Sequence, residues 1–315
     1  MFKAIVASSI LGILFGVNSF FSPLNFIEKI TNKSGSLEEV TEINPYLLPA
    51  SEANYFPIRD WNISDPRLAA HSVVVYDVNS DKVLFSRNPK EKLPVASLTK
   101  LMTAVVLVEN ISLEDTVVVT ESAIAKSKKE GGGNDLYLGE KFKVIDLLKL
   151  MLIKSSNVAA YSFESHLKEK YGLKLIEKMN EKAANLGMAD THFTEAAGLD
   201  DKNSFSTSQD LIKLVEYSLR YDLLFDILKT SRTEVAPIDG KVRHSILNTN
   251  ELLGILLNII GGKTGFTELA GESMILVTEA PANGSKLITV VLGSNDRFEE
   301  TKRLVEWAEK AFIWR

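Results

Sequence analysis

Cysteine is missing from this chain of 315 residues, and several classes of protein are excluded with it. Without thiolates there is no disulfide framework, no cysteine-bound zinc or iron–sulfur cluster and no redox pair. Basic residues are fewer than acidic ones: 36 Lys and Arg against 41 Asp and Glu give a formal net charge of −5. A nucleic-acid binder usually presents a basic face, so we expect no nucleic-acid partner. The rest of the composition, 45% hydrophobic and 24% charged, is ordinary for a globular protein.

Two common catalytic patterns are absent as well. No pair among the four histidines has the i, i+4 spacing with which a helix holds zinc, and no G-x-S-x-G elbow occurs. We therefore expect neither a metal nor another cofactor. His192 is interpreted as a structural hydrogen-bonding residue of its loop rather than as a general base.

The first 27 residues differ from the remainder of the chain. Lys3 is their only charge, and an apolar run follows it from Ala4 to Phe21. This pattern is typical of a secretory signal, and about 18 apolar residues approach the length that spans a bilayer. We predict that residues 1–27 form a signal peptide or an N-terminal membrane anchor, that 28–68 form a stalk or linker, and that 69–315 form the folded domain. The protein would then be exported to the outer face of the plasma membrane or the periplasm.

Hydrophobic periodicity places strands at both ends of the folded part and helices between them. The predicted strands are 71–76, 81–85, 241–247, 262–268, 272–278 and 286–293. The predicted helices are 97–109, 144–153, 158–169, 173–186, 209–221 and 298–312. This order predicts an α/β (α+β) fold, in which an antiparallel sheet is assembled from both chain ends and a helical region is inserted between them.

Three short motifs carry candidate chemistry: S-x-x-K at 97–100, S-x-N at 155–157 and K-T-G at 263–265. A spacing of three puts Ser97 and Lys100 side by side on one helical face. A serine hydroxyl is a poor nucleophile until a base removes its proton. Lysine is such a base once burial and nearby positive potential, including that of a helix N-terminus, lower its pKa.

Each motif alone has an ordinary structural interpretation. S-x-x-K is common at helix starts, S-S-N serves as a helix stop and cap, and Lys263 fits a solvated charge at a strand end. Gly-Lys-Thr also ends a phosphate-binding loop, but that loop needs glycine where this chain has Leu257, and it needs a helix to follow. In this order, 58 and 108 residues apart, the three motifs are the signature of β-lactamases and penicillin-binding proteins.

Over residues 70–312 the chain resembles the low-molecular-mass penicillin-binding proteins, the serine-type D-alanyl-D-alanine carboxypeptidase family. The resemblance rests on the three motifs and on segments around them: 94–104, 138–140, 146–148, 155–160, 192–193, 198–200, 206–207, 210–211, 262–267 and 270–271. It implies a β-lactamase/transpeptidase-like fold and a hydrolase that trims peptidoglycan stem peptides ending in D-Ala-D-Ala. It also implies that β-lactam antibiotics inhibit the protein covalently.

The resemblance further implies catalytic roles for the first two motifs. Ser97 would be the acylated nucleophile and Lys100 its base. Ser155 would pass a proton to the leaving group, and Asn157 would hold Lys100 or a substrate amide.

The third motif would bind the substrate. Lys263 and Thr264 would hold its terminal carboxylate, with Gly265 completing the binding segment. The backbone N–H groups of Ser97 and Phe266 would form the oxyanion hole, which stabilises charge that develops in the transition state. Some members place an arginine before K-T-G to help hold the carboxylate; Arg243 and His244 lie upstream here, and neither is assigned that role.

Three alternatives remain open at this point. A peptidoglycan D,D-endopeptidase of the same family would cut a cross-link with the same residues. A class A β-lactamase would need a deacylating glutamate in an E-x-x-L-N context, which Glu195 lacks. A wall-binding scaffold without activity is the third. The stretch 128–133 is interpreted as a surface loop and a candidate rim of the cleft.

Overall fold

The computed structural model describes residues 56–129, 133, 135–281 and 284–314. The chain divides into two units, Met1–Ala53 and Asn54–Arg315, and every described residue belongs to the second. The predicted export segment and most of the predicted stalk therefore lie outside the described residues, and the domain boundaries stay a prediction. None of the described helices is both long and apolar enough to cross a membrane.

Eleven strands and eight α-helices make up the described part of the chain. The strands are β1 (Ile58–Arg59), β2 (Ser72–Asp77), β3 (Lys82–Arg87), β4 (Thr116–Val118), β5 (Lys141–Lys143), β6 (Arg232–Val235), β7 (His244–Leu247), β8 (Ile259–Thr267), β9 (Gly271–Glu279), β10 (Lys286–Ser294) and β11 (Phe312–Ile313). The helices are α1 (Thr99–Asn110), α2 (Glu121–Lys129), α3 (Val144–Leu152), α4 (Asn157–Tyr171), α5 (Leu175–Asn185), α6 (Ser208–Ser218), α7 (Asp222–Leu228) and α8 (Arg297–Ala311). A 3₁₀ turn, Ala96–Leu98, precedes α1.

Five strands form the central antiparallel sheet in the order β3–β2–β10–β9–β8. Strand β2, near the start of the domain, pairs with β10, near its end, from Leu287↔Asp77 to Leu292↔Ser72. Helices α1 to α7 lie between β3 and β8 along the chain. This topology confirms the predicted fold, a sheet assembled from both chain ends with a helical region inserted.

Strand β2 shows why the sheet lies in the middle of the domain. Its side chains alternate, so that Val74 and Tyr76 pack with the helical region while Val73 and Val75 pack with α8. Because both faces are covered, the strand is a continuous apolar run rather than an alternating one. Each fully buried valine contributes about 1.5–3 kcal/mol relative to an exposed one.

Helix α1 is buried on almost every side. Nine of its twelve residues are buried, including Leu101, Met102 and Val105. Its buried polar residues are Thr99, Lys100 and Thr103. An unpaired buried polar group is costly, and neighbouring elements supply hydrogen-bond partners to Lys100 and Thr103, whereas the Thr99 hydroxyl has none among the described residues. The start of α4 and the loop around residue 197 supply these partners, so both lie beside the S-x-x-K motif.

All six predicted strands and all six predicted helices have a counterpart, with two corrections. Ser97 lies in the 3₁₀ turn rather than in the first turn of an α-helix, and the strand predicted for 241–247 begins only at His244. Lys128 and Lys129 end helix α2 instead of standing in a loop, and residues 130–132 lie outside the described part of the chain.

Residues 56–68, the last part of the stretch predicted to be a stalk or linker, contact the domain. Strand β1 pairs with β11 through Ile58↔Ile313 and Arg59↔Phe312. The indole Nε1 of Trp307 in α8 donates to the carbonyl oxygen of Ser64 at 2.9 Å. The chain thus enters the domain along the outside of α8.

Candidate active site

The turn that carries Ser97 is clamped between two glycines. Ala96 has a left-handed φ of 49°, an unusual conformation for a residue with a Cβ. On one side, a Cβ at Gly198 would overlap the carbonyl oxygen of Ala96. On the other, a Cβ at Gly265 would lie 3.0 Å from both Ala96 Cβ and Val95 O. Glycine at both positions lets a loop and strand β8 approach the turn closely.

Lys100 reaches from the first turn of α1 to Ser97. Its Nζ lies 2.7 Å from Ser97 Oγ, 2.7 Å from Asn157 Oδ1 and 2.6 Å from Ala197 O. The side chain is fully buried. Burial lowers the pKa of Lys100 to about 7, against the opposing effect of the carboxylates of Glu195 and Asp135. A large share of Lys100 is therefore neutral near pH 7 and able to accept a proton.

The outer residues of the S-x-N motif contact the two lysines, and its middle residue caps a helix. Ser155 follows α3 with a left-handed φ of 64°, and Asn157 begins α4. Between them, Ser156 Oγ caps α4 by accepting from Ala159 N at 3.1 Å and donates to Asp135 Oδ1 at 2.9 Å. The capping role thus belongs to Ser156, and its neighbours point their side chains to the two lysines.

The K-T-G motif lies on β8, the last strand of the sheet. Lys263 Nζ donates to Ser155 Oγ and to Thr264 O, both at 3.0 Å, and only 1% of the residue is exposed. Burial lowers the pKa of Lys263 well below its ordinary value, and the positive charges of Lys100 and Arg297 lower it further. The hydroxyl of Thr264 lies 2.6 Å from that of Thr249.

The predicted site residues, joined by Arg297 at the start of α8, lie in two groups that face each other. We call Ser97, Lys100, Ser155 and Asn157 the helical wall. We call Lys263, Thr264, Gly265 and Arg297 the sheet wall. The Lys263–Ser155 hydrogen bond joins the two walls.

Arg297, at the start of α8, was not predicted from the sequence. Its Nη1 donates to Gly265 O at 3.1 Å, and its Nε is buried with no hydrogen-bond partner among the described residues. Strands β8 and β10 are both antiparallel to β9, so both finish beside the first residues of β9, at the same end of the sheet. The residues just after β10 therefore lie beside the K-T-G motif, and this pairing order was the signal available in the sequence.

The predicted oxyanion-hole residues lie at the same end of the sheet. A Cβ at Gly265 would be 3.2 Å from the backbone nitrogen of Ser97, which shows how closely β8 passes Ser97. Phe266 is the next residue, in register with Glu272 of β9. The role of the two N–H groups stays a prediction.

Other residues considered from the sequence lie elsewhere. The ring Nδ1 of His192 is 2.9 Å from Asn203 O, a loop contact that fits its structural interpretation. Arg243 pairs with Glu234, and His244 pairs with Glu140. Among the described residues, none of these contacts Ser97 or Lys263.

Comparison with known proteins gives a consistent result. The family profile of Peptidase_S11, D-alanyl-D-alanine carboxypeptidase, matches residues 60–296. The D-alanyl-D-alanine endopeptidase of Escherichia coli (strain K12) is 34% identical over 252 residues, 78% of this chain and 79% of that protein. The D-alanyl-D-alanine carboxypeptidase DacC of the same organism is 32% identical over 262 residues, 79% of this chain and 64% of that protein.

Solved structures share the fold. The Streptomyces K15 DD-transpeptidase superposes with a TM-score of 0.72 at 24% identity, over 78% of this chain and 99% of that one. A D-alanyl-D-alanine carboxypeptidase from Mycobacterium tuberculosis H37Rv gives a TM-score of 0.70 at 24% identity, over 82% of this chain and 98% of that one. These similarities confirm the predicted transpeptidase-like fold.

Proposed function

The chain belongs to the peptidase S11 family of D-alanyl-D-alanine carboxypeptidases, and on that premise we propose how its own residues act on peptidoglycan. The reaction is hydrolysis of the terminal D-Ala–D-Ala bond of a stem peptide through an acyl-enzyme on Ser97. One observation carries the proposal: Nζ of the fully buried Lys100 lies 2.7 Å from Ser97 Oγ. A base with a pKa near 7 is thereby within proton-transfer distance of a hydroxyl nucleophile.

Acylation begins when neutral Lys100 takes the hydroxyl proton of Ser97. The Ser97 oxygen attacks the carbonyl carbon of the penultimate residue, and the backbone N–H groups of Ser97 and Phe266 stabilise the oxyanion. The C–N bond then breaks, Ser155 passes on to the departing amine the proton that Lys100 took from Ser97, and Lys100 is neutral again. Water hydrolyses the resulting ester and restores the hydroxyl of Ser97.

The sheet wall binds the carboxylate at the end of the substrate. Lys263 and Arg297 supply positive charge, and Thr264 donates a hydrogen bond. Charge-assisted hydrogen bonds of this kind are about twice as strong as neutral ones. A stem-peptide end presents a free terminal carboxylate, and some cross-links present a carboxylate beside the scissile bond as well, so this wall fits a carboxypeptidase and an endopeptidase alike.

A D,D-endopeptidase is the second candidate. It is favoured by the 34% identity to the Escherichia coli protein named D-alanyl-D-alanine endopeptidase. Cleavage of a cross-link would use the same acyl-enzyme with a different leaving amine.

The contacts of Glu195 argue against a class A β-lactamase. Its carboxylate accepts from the Tyr161 hydroxyl and from the backbone N–H groups of residues 197, 198 and 199. These four donors fill the roughly four lone-pair sites of a carboxylate, which leaves Glu195 none with which to activate water. The predicted inhibition by β-lactams accordingly takes the form of a lasting acyl-enzyme.

Export belongs to the same proposal, because peptidoglycan lies outside the plasma membrane. Residues 1–27, with the apolar run from Ala4 to Phe21, would direct the chain there. Fractionation of cells checks this: full-length protein found in the cytoplasm contradicts it.

The test of the activity combines labelling with product analysis. Fluorescent penicillin should label the native chain covalently and should not label Ser97→Ala; equal labelling of both contradicts the acyl-enzyme, and no labelling of the native chain favours the inactive scaffold. With a muropeptide pentapeptide and a cross-linked dimer as substrates, release of D-alanine indicates a carboxypeptidase. Conversion of dimer to monomers indicates an endopeptidase.

A further inference from the structure

Glu195 lies in the loop that brings a backbone carbonyl to Lys100. The loop 195–199 connects the region of α5 to that of α6, and Glu195 is 6% exposed. The carbonyl oxygen of Ala197 accepts from Lys100 Nζ at 2.6 Å, and that of Ala196 accepts from Thr103 Oγ1 at 2.8 Å. The loop therefore accepts hydrogen bonds from two buried polar side chains of α1.

The Glu195 carboxylate determines the conformation of this loop. Oε2 accepts from the Tyr161 hydroxyl and from Ala197 N, each at 2.7 Å. Oε1 accepts from Leu199 N at 2.9 Å and from Gly198 N. Three of the four donors are backbone groups of the loop itself, so the carboxylate holds the residues on both sides of the Ala197 carbonyl.

The position of that carbonyl matters because a neutral lysine has only two N–H groups and one lone pair. Nζ of Lys100 has three oxygen neighbours within hydrogen-bond distance: Ser97 Oγ, Asn157 Oδ1 and Ala197 O. The amide oxygen and the carbonyl oxygen are acceptors only, so the two N–H groups point to Asn157 and Ala197. The lone pair is left facing Ser97, whose hydroxyl is the one neighbour able to donate.

We propose that Glu195 is a positioning residue for the base: by fixing the 195–199 loop it holds the Ala197 carbonyl where it turns the lone pair of Lys100 toward Ser97. The inference rests on the proposed acyl-enzyme function and adds a residue that touches neither substrate nor nucleophile. Gly198, which packs on the Ala96 carbonyl, carries the same loop to the nucleophile turn. One carboxylate thus fixes both partners of the proton transfer.

The negative charge of Glu195 gives a second measurable effect, a change in the pH dependence of acylation. Lys100 faces two carboxylates, those of Glu195 and Asp135, and across the cleft it faces the ammonium of Lys263. Removing the charge of Glu195 removes one of the two groups that favour protonated Lys100. The pH at which acylation reaches half its plateau should then fall.

The experiment measures the acylation rate by fluorescent penicillin on both sides of pH 7, for the native chain and for Glu195→Gln. Glutamine keeps one acceptor oxygen but directs an NH₂ group at backbone N–H donors, which loosens the loop. We expect the plateau rate to fall at least about tenfold, since small misplacements of a catalytic group are costly. We expect the half-plateau pH to move down by about half a unit or more.

Glu109→Gln is the matched control. Glu109 lies on the same helix, about 14 Å from Lys100 at 1.5 Å per residue, and its largely buried carboxylate accepts from Lys182, Tyr217 and Tyr221. The variant should lower the melting temperature and leave both the plateau rate and the half-plateau pH unchanged. Tyr161→Phe is a milder variant that removes one donor and keeps the charge, so its plateau rate should fall less and its half-plateau pH should stay in place.

The outcomes separate this inference from the proposed function. If Glu195→Gln folds and keeps the native plateau rate, the positioning role is wrong, whatever happens to the half-plateau pH. If Glu195→Gln does not fold, Tyr161→Phe decides: a plateau rate no lower than that of Glu109→Gln contradicts the role, and a lower one supports it. A native chain that penicillin does not label contradicts the acyl-enzyme function, and the Glu195 role falls with it.

Discussion

The lysines of the two walls differ in the charges around them: carboxylates act on Lys100 of the helical wall, whereas positive charges act on Lys263 of the sheet wall. Lys100 faces the carboxylates of Glu195 and Asp135. Lys263 faces the positive charges of Lys100 and Arg297, and among the described residues the nearest carboxylate contact of Arg297 is that of Glu272, which accepts from its backbone N–H at 2.9 Å. In the proposed mechanism, the helical wall therefore needs no ligand for proton transfer, whereas the sheet wall gains a carboxylate beside Lys263 when a substrate binds.

The largest expected effect comes from disabling the base in the helical wall. Lys100→Arg keeps a positive charge but cannot be deprotonated in a protein, so acylation by penicillin should fall by about 10²–10⁴-fold, the range of general base catalysis. Lys126→Arg, on α2 and paired with Glu164 at 2.9 Å, is the control and should acylate at the native rate. Near-native acylation of Lys100→Arg would show that Lys100 is not the base.

The sheet wall should respond to the charge of the substrate instead. A stem peptide with a free terminal carboxylate should be hydrolysed much faster than its amidated form, and Lys263→Gln should narrow this preference by about tenfold or more, the value of one hydrogen bond to a charged group. The exposed Lys143, paired with Glu114 at 2.6 Å, provides the control variant Lys143→Gln. An unchanged preference between acid and amide removes Lys263 from the carboxylate site.

The pH dependence of acylation sharpens the contrast between the walls. Protonated Lys100 cannot accept a proton, so the rate should drop about tenfold per unit below a pKa of about 7 and level off above it. Lys263 has the opposite requirement, because only its protonated form pairs with a carboxylate, so the plateau should end and the rate should fall again where Lys263 loses its proton. Rate constants measured over this range check the first statement, and a midpoint near the ordinary lysine value of 10.5 would contradict it.

The smallest expected effect concerns the orientation of one hydroxyl in the sheet wall. Thr249→Val removes the partner that lies 2.6 Å from Thr264 Oγ1 while keeping the side-chain shape. The loss of one neutral hydrogen bond, about 1 kcal/mol, should reduce kcat/KM for the peptide about fivefold and leave the pH midpoint in place. The exposed Thr116 of β4 allows the control Thr116→Val. Native kcat/KM in Thr249→Val would show that this contact does not orient Thr264.

The parts of the fold predicted from the sequence are those with strong apolar patterns. Strand β2 is buried on both faces and helix α1 on nearly every side, and each is a largely apolar run in the sequence. The pieces that were missed are short or polar: β4 and β5 have three residues each with one buried, and α2 buries only Ala123 and Ser127. Such segments are fixed by neighbours that a local pattern does not contain.

The same distinction applies to the site. The residues within the three motifs are recognisable because their spacing along the chain reflects one chemistry, and the structure brings them together through Lys100 and Lys263. Arg297 lies in the site only because β8 and β10 flank β9 in the sheet. The proposed role of Glu195 depends on a backbone carbonyl two residues away. Neither fact is a property of the residues on either side in the sequence.

The pairing of β2 with β10 has a consequence for the order in which the protein matures. A chain is synthesised from its N-terminus, so Ser97, Lys100 and Asn157 all exist before β8, β9 and β10 emerge. Until then β2 lacks its partner β10, and Ser97 has neither Lys263 nor strand β8 beside it. A nascent chain therefore holds the residues of the helical wall early, and the sheet wall forms beside them only when β8 to β10 have folded onto β2.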